Sequence, residues 1–433
     1  MLSIKNIKKL RGQYIGPSFS LSYHEPLHIV KGKGQYLYAS DGTQYLDAVN
    51  NISHVGHCHP RVIAALDKQN RLLNTNTRYL HDNIVTYADE LTNKLPAKLD
   101  VCYFTNSGSE SNDLALRMAR NYTDSNQTIV IAGAYHGHTN ATIEVSPYKF
   151  DGPGGLGSPD FVHQIPMPDP YRGKFRSNND DIALKYADCV QQTLDGLDND
   201  NKQVAAFIAE AILGCGGQIL FPENFLAAAS KKVQQAGGLF IADEVQIGFG
   251  RVGSHFWGFE SENARPDIVT MGKSMGNGHP ISAVVTTKEI ADRFNNGMEY
   301  FNSFGGNPVS CAVGKAVLQV IEEEKLQANA FQVGKYLMDQ LNDLKQKHNI
   351  IGDVRGRGLF LGLELIKDHE KLIPASLEAE KIANNMKDHG ILISTDGPDH
   401  NVLKIKPPMV FTYNNADQLV ETLNKLLMQG DFN

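Results

Sequence analysis

From about residue 60 to residue 325, short apolar runs alternate with longer stretches whose apolar positions recur at helical spacing. This alternation predicts a mostly parallel sheet wrapped by helices, an α/β fold. Strands are expected at Val101 to Thr105, Thr128 to Ala132, Val204 to Ala209, Leu239 to Ala242, Ile268 to Met271 and Ile281 to Thr286, with helices over Asn224 to Ala236 and Pro308 to Glu323. Several strands end in polar or Gly-rich turns, where such folds place ligands, so chemistry is expected after the strands. Beyond about residue 325 the pattern becomes a helix to Lys347, an apolar stretch from Gly358 to Ile366, a helix around Ala375 to Asp388, short strands at Ile391 and Val402, and a last helix. That is a smaller α+β C-terminal domain. The expected boundaries are an N-terminal segment, 1–53, packing with the small domain, a large domain over 54–325, and the small domain over 326–433. Residues 151–202, rich in Gly, Pro, Asp and Asn, predict a long excursion over the surface or the mouth of a site. No repeat or heptad is present.

A chain of 433 residues, 41% hydrophobic and 21% charged, can bury a large core. Its 41 Lys plus Arg against 48 Asp plus Glu give a net charge of −7, which offers no basic field for nucleic acid or an anionic membrane. A small-molecule partner is expected instead. The N-terminus lacks the apolar core of a signal peptide, and no run approaches a membrane span, so a cytoplasmic location is expected. Five scattered cysteines show no CxxC spacing and are read as reduced thiols, with no metal site.

Three motifs carry candidate chemistry. In TNSGSESNDLALRMAR an apolar strand runs into Ser107, Gly108 and Ser109 and then a helix, so free N–H groups and a positive helix end face whatever lies there. Alone, such a turn is equally an ordinary helix cap. In GLFIADEVQIGFGRVG a strand stops at Asp243, a carboxylate that needs a cationic partner; a protonated pyridine nitrogen or an arginine would serve. The same stretch fits GxGxxG, but SHFWGF after it is a poor start to a phosphate-binding helix, so a dinucleotide site is rejected. In DIVTMGKSMGNGHPISAVVT, Lys273 follows an apolar strand and is hemmed by glycines; desolvation there favours a neutral amine suited to imine chemistry.

In order and spacing, Gly56-His57-Cys58-His59-Pro60, Ser107-Gly108-Ser109-Glu110, Tyr135-His136-Gly137, Asp243-Glu244-Val245-Gln246, Gly272-Lys273 and Phe304-Gly305-Gly306-Asn307-Pro308 resemble the class III aminotransferases over nearly the whole chain. The resemblance implies a fold type I pyridoxal-5′-phosphate enzyme, whose large domain binds the cofactor, assembled as a homodimer with shared active sites. It implies that Lys273 carries the cofactor as a Schiff base and moves the substrate proton, and that Asp243 pairs with the pyridine nitrogen. It further implies that Ser107, Gly108 and Ser109 form the phosphate turn, Tyr135 stacks on the ring, Gln246 reaches the phenolic oxygen, and Ser303 reaches the phosphate from the other subunit. His57 and His59 become structural rather than a metal pair.

Two departures bear on substrate. Relatives acting on ω-amino acids have a glutamate five residues after the one matched by Glu210, where this chain has Cys215. The arginine of their RxxPP pattern is Lys404 here, in Lys404-Ile405-Lys406-Pro407-Pro408, and lysine lacks arginine's planar two-point grip on a carboxylate. Stretches such as NNISHVGHCHP, AYHGHTNATIEVSPYKF and VLKIKPPM resemble instead the phospho-lyase branch acting on phosphoethanolamine or phosphohydroxylysine. Elimination of phosphate, then hydrolysis to aldehyde and ammonia, is the expected reaction. An ω-amine or amino-acid transaminase is the alternative, and a catalytically silent binding protein is disfavoured by the presence of Lys273, Asp243 and Gln246. Arg78, Arg172 and Lys404, with Lys149, Lys174, Arg176 and Lys406, are the candidate cations for a substrate phosphate.

Overall fold

Seven strands form the central sheet of the computed structural model, which describes residues 2–176 and 181–429. In spatial order they begin at residues 101, 282, 268, 239, 204, 127 and 162. Ser282–Thr286 runs antiparallel to its neighbours and the other strands are mutually parallel. Every residue of Val204–Glu210 and Leu239–Asp243 is buried, as in strands covered on both faces. Phe207 and Phe240 stack across this pair, their ring centroids 5.7 Å apart. Each such buried side chain contributes about 1.5–3 kcal/mol. The expected strands and the helices at Phe225–Gln235 and Pro308–Glu323 lie where the apolar pattern put them, to within a residue.

The stretch 151–202 is more regular than its composition suggested. Val162–Ile165 joins the sheet edge parallel to Gln127–Ile131, and Ile182–Asn199 is a helix that buries Tyr186, Val190, Leu194 and Leu197 along one stripe. Those apolar side chains, at helical spacing, outweigh the Gly and Asn residues among them. The turn-rich part from Gly152 to Pro159 carries no regular element.

The second lobe contains a five-stranded antiparallel sheet, with Ile351–Arg357, Phe360–Asp368, Val402–Ile405 and Ser394–Asp396 in spatial order and Ile373–Pro374 pairing off the path. Helices Leu326–Lys347, Ser376–Asp388 and Tyr413–Gln429 accompany it. A further sheet joins Ile29–Lys33, Tyr36–Ala39 and Gln44–Asp47 to the distant Ile391–Leu392. Among the described residues no helix is long and apolar enough to cross a membrane.

Candidate active site

Three parallel strands end side by side with Glu210, Asp243 and the Gly272-Lys273 pair just beyond Met271. Asp243 is buried and held from several directions. Its Oδ2 accepts from Asn112 Nδ2 at 2.8 Å and His136 Nδ1 at 2.7 Å, and its Oδ1 accepts from the Val245 N–H at 3.1 Å. The carboxylate thereby fixes the imidazole tautomer, with the proton on Nδ1, while the buried Nε2 has no partner among the described residues. Asn112 is oriented in turn by Thr270 Oγ1, 2.6 Å from its side-chain oxygen, and by donation to the His136 carbonyl at 2.7 Å. Oδ1 of Asp243 keeps a lone pair for a further donor.

Glu210 faces Asp243 in register. It accepts from the Gly214 N–H at 2.9 Å and the Tyr135 N–H at 3.4 Å. Burial, and then the negative charge of Asp243, push its carboxyl up to about 7.

Lys273 opens a single 3₁₀ turn with φ +24°, a conformation rare outside glycine. It is partly buried, and no side chain among the described residues pairs with its amine. Opposite it, Ser107 caps the helix Gly108–Thr123 by accepting from the Glu110 N–H at 3.2 Å. The N–H groups of Gly108 and Ser109 have no acceptor among the described residues, and the Ser109 hydroxyl accepts from the His138 N–H at 3.1 Å. A Cβ on Gly108 would lie 2.6 Å from Val245 Cγ1, so glycine is required for the turn to lie against the strand ends.

Gln246 reaches across to both ends of the chain. Its Oε1 accepts from Asn51 Nδ2 at 3.2 Å and Lys406 Nζ at 3.4 Å, which leaves its Nε2 as the donor turned toward Gly214. Lys406 is buried over the Phe360 ring, 4.6 Å from its centroid. Asp396 bridges the two lysines, accepting from Lys404 at 3.0 Å on Oδ1 and Lys406 at 3.2 Å on Oδ2. Cys215 lies where the fields of Asp396, Glu210, Lys406 and Lys273 meet; burial first, then the two carboxylates, push its thiol up to about 11.

The other expected residues are dispersed. Tyr135 is half-buried, edge-on to Tyr148 with centroids 6.3 Å apart, and Lys149 lies over both rings. Arg172 pairs with Glu364 and donates to the Leu372 carbonyl, so its charge is committed to the second lobe. Lys174 lies over the Phe175 ring. Arg176 adjoins residues 177–180, which are outside the described residues. Arg78 is exposed, 3.0 Å from Glu299 and over the Phe301 ring, in the neighbourhood of exposed Ser303 and Phe304. His57 pairs with Asp47 at 2.6 Å and His59 with Glu324 at 3.0 Å, two separate carboxylates. Asn112, Asn51, Asp396 and the orienting role of His136 were missed by the sequence reading. A polar residue four positions after Gly108 on a helix buried against the sheet was the signal that could have found Asn112.

Strand-end acid, lysine turn and capped helix together define a pyridoxal-phosphate enzyme of the fold type I architecture. The sequence model of the class III aminotransferases matches residues 19–427, and the chain belongs to that family. It is similar to an alanine–glyoxylate aminotransferase 2-like protein of Drosophila melanogaster, 52% identical over 95% of this chain and 85% of that one. It is also 43% identical to an ethanolamine-phosphate phospho-lyase homolog of Caenorhabditis elegans, over 98% of this chain and 94% of that protein. Among solved structures, a phospholyase from Arthrobacter in complex with phosphoethanolamine superposes with a TM-score of 0.93 at 38% identity, covering 98% of this chain and 100% of that one. The cofactor is pyridoxal 5′-phosphate. The residues present fit it: unpartnered N–H groups at a helix start suit a phosphate, and the open lone pair of Asp243 suits a protonated ring nitrogen.

Proposed function

We propose that the chain is a phospho-lyase, removing phosphate and ammonia from a small 1,2-amino phosphate such as phosphoethanolamine or phosphohydroxylysine. Pyridoxal phosphate, when bound, supplies an electron sink for the carbon next to the substrate nitrogen. In this reading Lys273 holds the cofactor and moves the proton of that carbon, and Asp243 keeps the pyridine nitrogen charged while Asn112 and His136 hold the carboxylate still. The turn at Ser107, Gly108 and Ser109 would receive the cofactor phosphate, Tyr135 would hold the ring, and Gln246 would donate to its phenolic oxygen.

The observation that carries the reading is the cluster at Lys404, Lys406 and Asp396 beside Cys215. Two point-like cations suit a phosphate, which accepts from several directions, better than they suit a planar carboxylate. The phospho-lyase relative and the phosphoethanolamine-bound structure add support. A transaminase reading is favoured by the name of the Drosophila relative. Incubating the holoenzyme with phosphoethanolamine and no keto acid separates them: phosphate release is expected, and strict dependence on 2-oxoglutarate or pyruvate overturns the proposal.

The same proposal includes a homodimer in which Ser303, and Arg78 beside it, serve the partner's site. Exposed Leu72, Tyr79, Leu80, Phe301 and Phe304 support it as apolar surface that a second copy would cover. It also takes residues 1–53 as packing with the C-terminal domain, 326–433, and 54–325 as the cofactor-binding domain; the pairing of Gln44–Asp47 with Ile391–Leu392 supports the first of these.

A further inference from the structure

The lysine pair already holds an anion. Asp396 sits on the strand Ser394–Asp396, whose neighbour Val402–Ile405 carries Lys404, so acid and base are fixed in adjacent strands of one sheet. Gln218 Nε2 donates to Asp396 Oδ2 at 2.8 Å and also to the Gly214 carbonyl at 2.8 Å, tying the carboxylate to the loop that carries Cys215. Asp396 therefore cannot swing away without giving up its hydrogen bonds to Gln218, Lys404 and Lys406. The two lysines differ in access: the Lys406 side chain is 4% exposed and that of Lys404 is 24% exposed. Lys404 spends one ammonium proton on Asp396 and has two more to offer.

We propose that Asp396 is a specificity-determining residue, a resident carboxylate that makes the lysine pair reject carboxylate substrates and accept the more highly charged phosphate monoester. The inference rests on the phospho-lyase reading of this site. Two lysines and one carboxylate leave a net charge of about +1. A free carboxylate must compete there with one held at 3.0 and 3.2 Å by its own strand, which is present at far higher effective concentration. A phosphate monoester, with a charge near −2 above its second pKa of about 6, gains more from the same field and takes the remaining donors of Lys404 without displacing Asp396. Cys215 beside the cluster adds no competing charge, because its thiol, pushed up to about 11, is neutral.

The test is calorimetric titration of the holoenzyme at pH 8 with inorganic phosphate and, separately, with acetate, which carries a single carboxylate charge. The wild-type protein is expected to bind phosphate at least tenfold more tightly than acetate, and a smaller ratio overturns the proposal. In Asp396→Asn the ratio is expected to fall at least threefold as acetate gains; a smaller change overturns it. Should Asp396→Asn fail to fold, Lys404→Met takes its place, with the phosphate preference lost if the proposal holds and retained if it fails. Turnover of phosphoethanolamine is measured alongside. Absence of phosphate release defeats the parent reading, whereas normal release with an unselective titration defeats only the role given to Asp396.

Discussion

Asp243 and Glu210 stand opposite one another in register on neighbouring parallel strands, two buried carboxyl groups at the carboxyl ends of the central strands. They are not equivalent. Asp243 accepts from two side-chain donors and a backbone N–H, which suit its charged form, while Glu210 has two backbone N–H groups and the field of Asp243 against it. The donors to Asp243 fix its position, whereas Glu210 is a carboxyl raised to about 7.

That contrast predicts a pH-dependent stability. The carboxyl of Glu210, raised from 4.5 to about 7 in the folded chain, binds its proton more tightly than in the unfolded chain. Its contribution is therefore fully present below about pH 4.5 and is lost as pH rises through 7. Glu210→Gln removes the titrating group, so relative to wild type the variant is expected to gain on the order of 3 kcal/mol between pH 4.5 and pH 8. Urea unfolding of the apoprotein at both pH values checks this; parallel pH profiles would refute it.

Lys273→Ala is expected to lose both the visible absorbance of the bound cofactor and turnover, by at least a thousandfold, with the fold intact by circular dichroism. The motive is an amine without a partner among the described residues, held in a backbone conformation that costs about 1–3 kcal/mol. Full turnover in the alanine variant would remove this lysine from the chemistry.

Asp243→Asn is expected to fold and to lose most activity, because an amide cannot keep a ring nitrogen protonated. Removing one side of a buried charge network also costs about 3–5 kcal/mol, so thermal unfolding is followed in parallel. Asn112→Leu, which removes one of the donors to Asp243, is expected to lower turnover less, about tenfold, and near-normal rates in both folded variants would dismiss the network.

The proposed dimer is checked by sedimentation. Introducing charge as Leu80→Asp with Phe304→Asp is expected to shift the protein to monomers and to weaken cofactor retention. Ser303→Ala alone should leave the dimer and loosen the cofactor roughly tenfold, the worth of one hydrogen bond to a charged group. Unchanged retention in Ser303→Ala refutes the contribution from the partner.

The central strands were legible because they are covered on both faces and read as uninterrupted apolar runs, as in VAAFIAE and LFIAD. Ile29–Lys33 escaped notice for the opposite reason: none of its five residues is buried, and IVKGK has neither a run nor an alternation. Lys273 and Asp243 were visible because strand ends announce them. Asn51 and Asn112 were not, since each acts on a residue far along the chain, Gln246 and Asp243, and nothing local marks the meeting. Lys404 was identified by position, but its tether to Asp396 depends on two strands finding their register.

The parallel pairing of Gln44–Asp47 with Ile391–Leu392 sets an order on how the chain can be made. The early strands leave the ribosome with one edge bare, and the partner that covers it emerges some 340 residues later. At roughly 5–20 residues per second, that edge waits about 20–70 s, during which it is a place for misdirected pairing. Asn51, which steadies Gln246, follows directly on these strands. Completion of the catalytic centre is thus deferred until the last quarter of the chain has been synthesised, and premature termination there would leave the cofactor lobe with an unfinished wall.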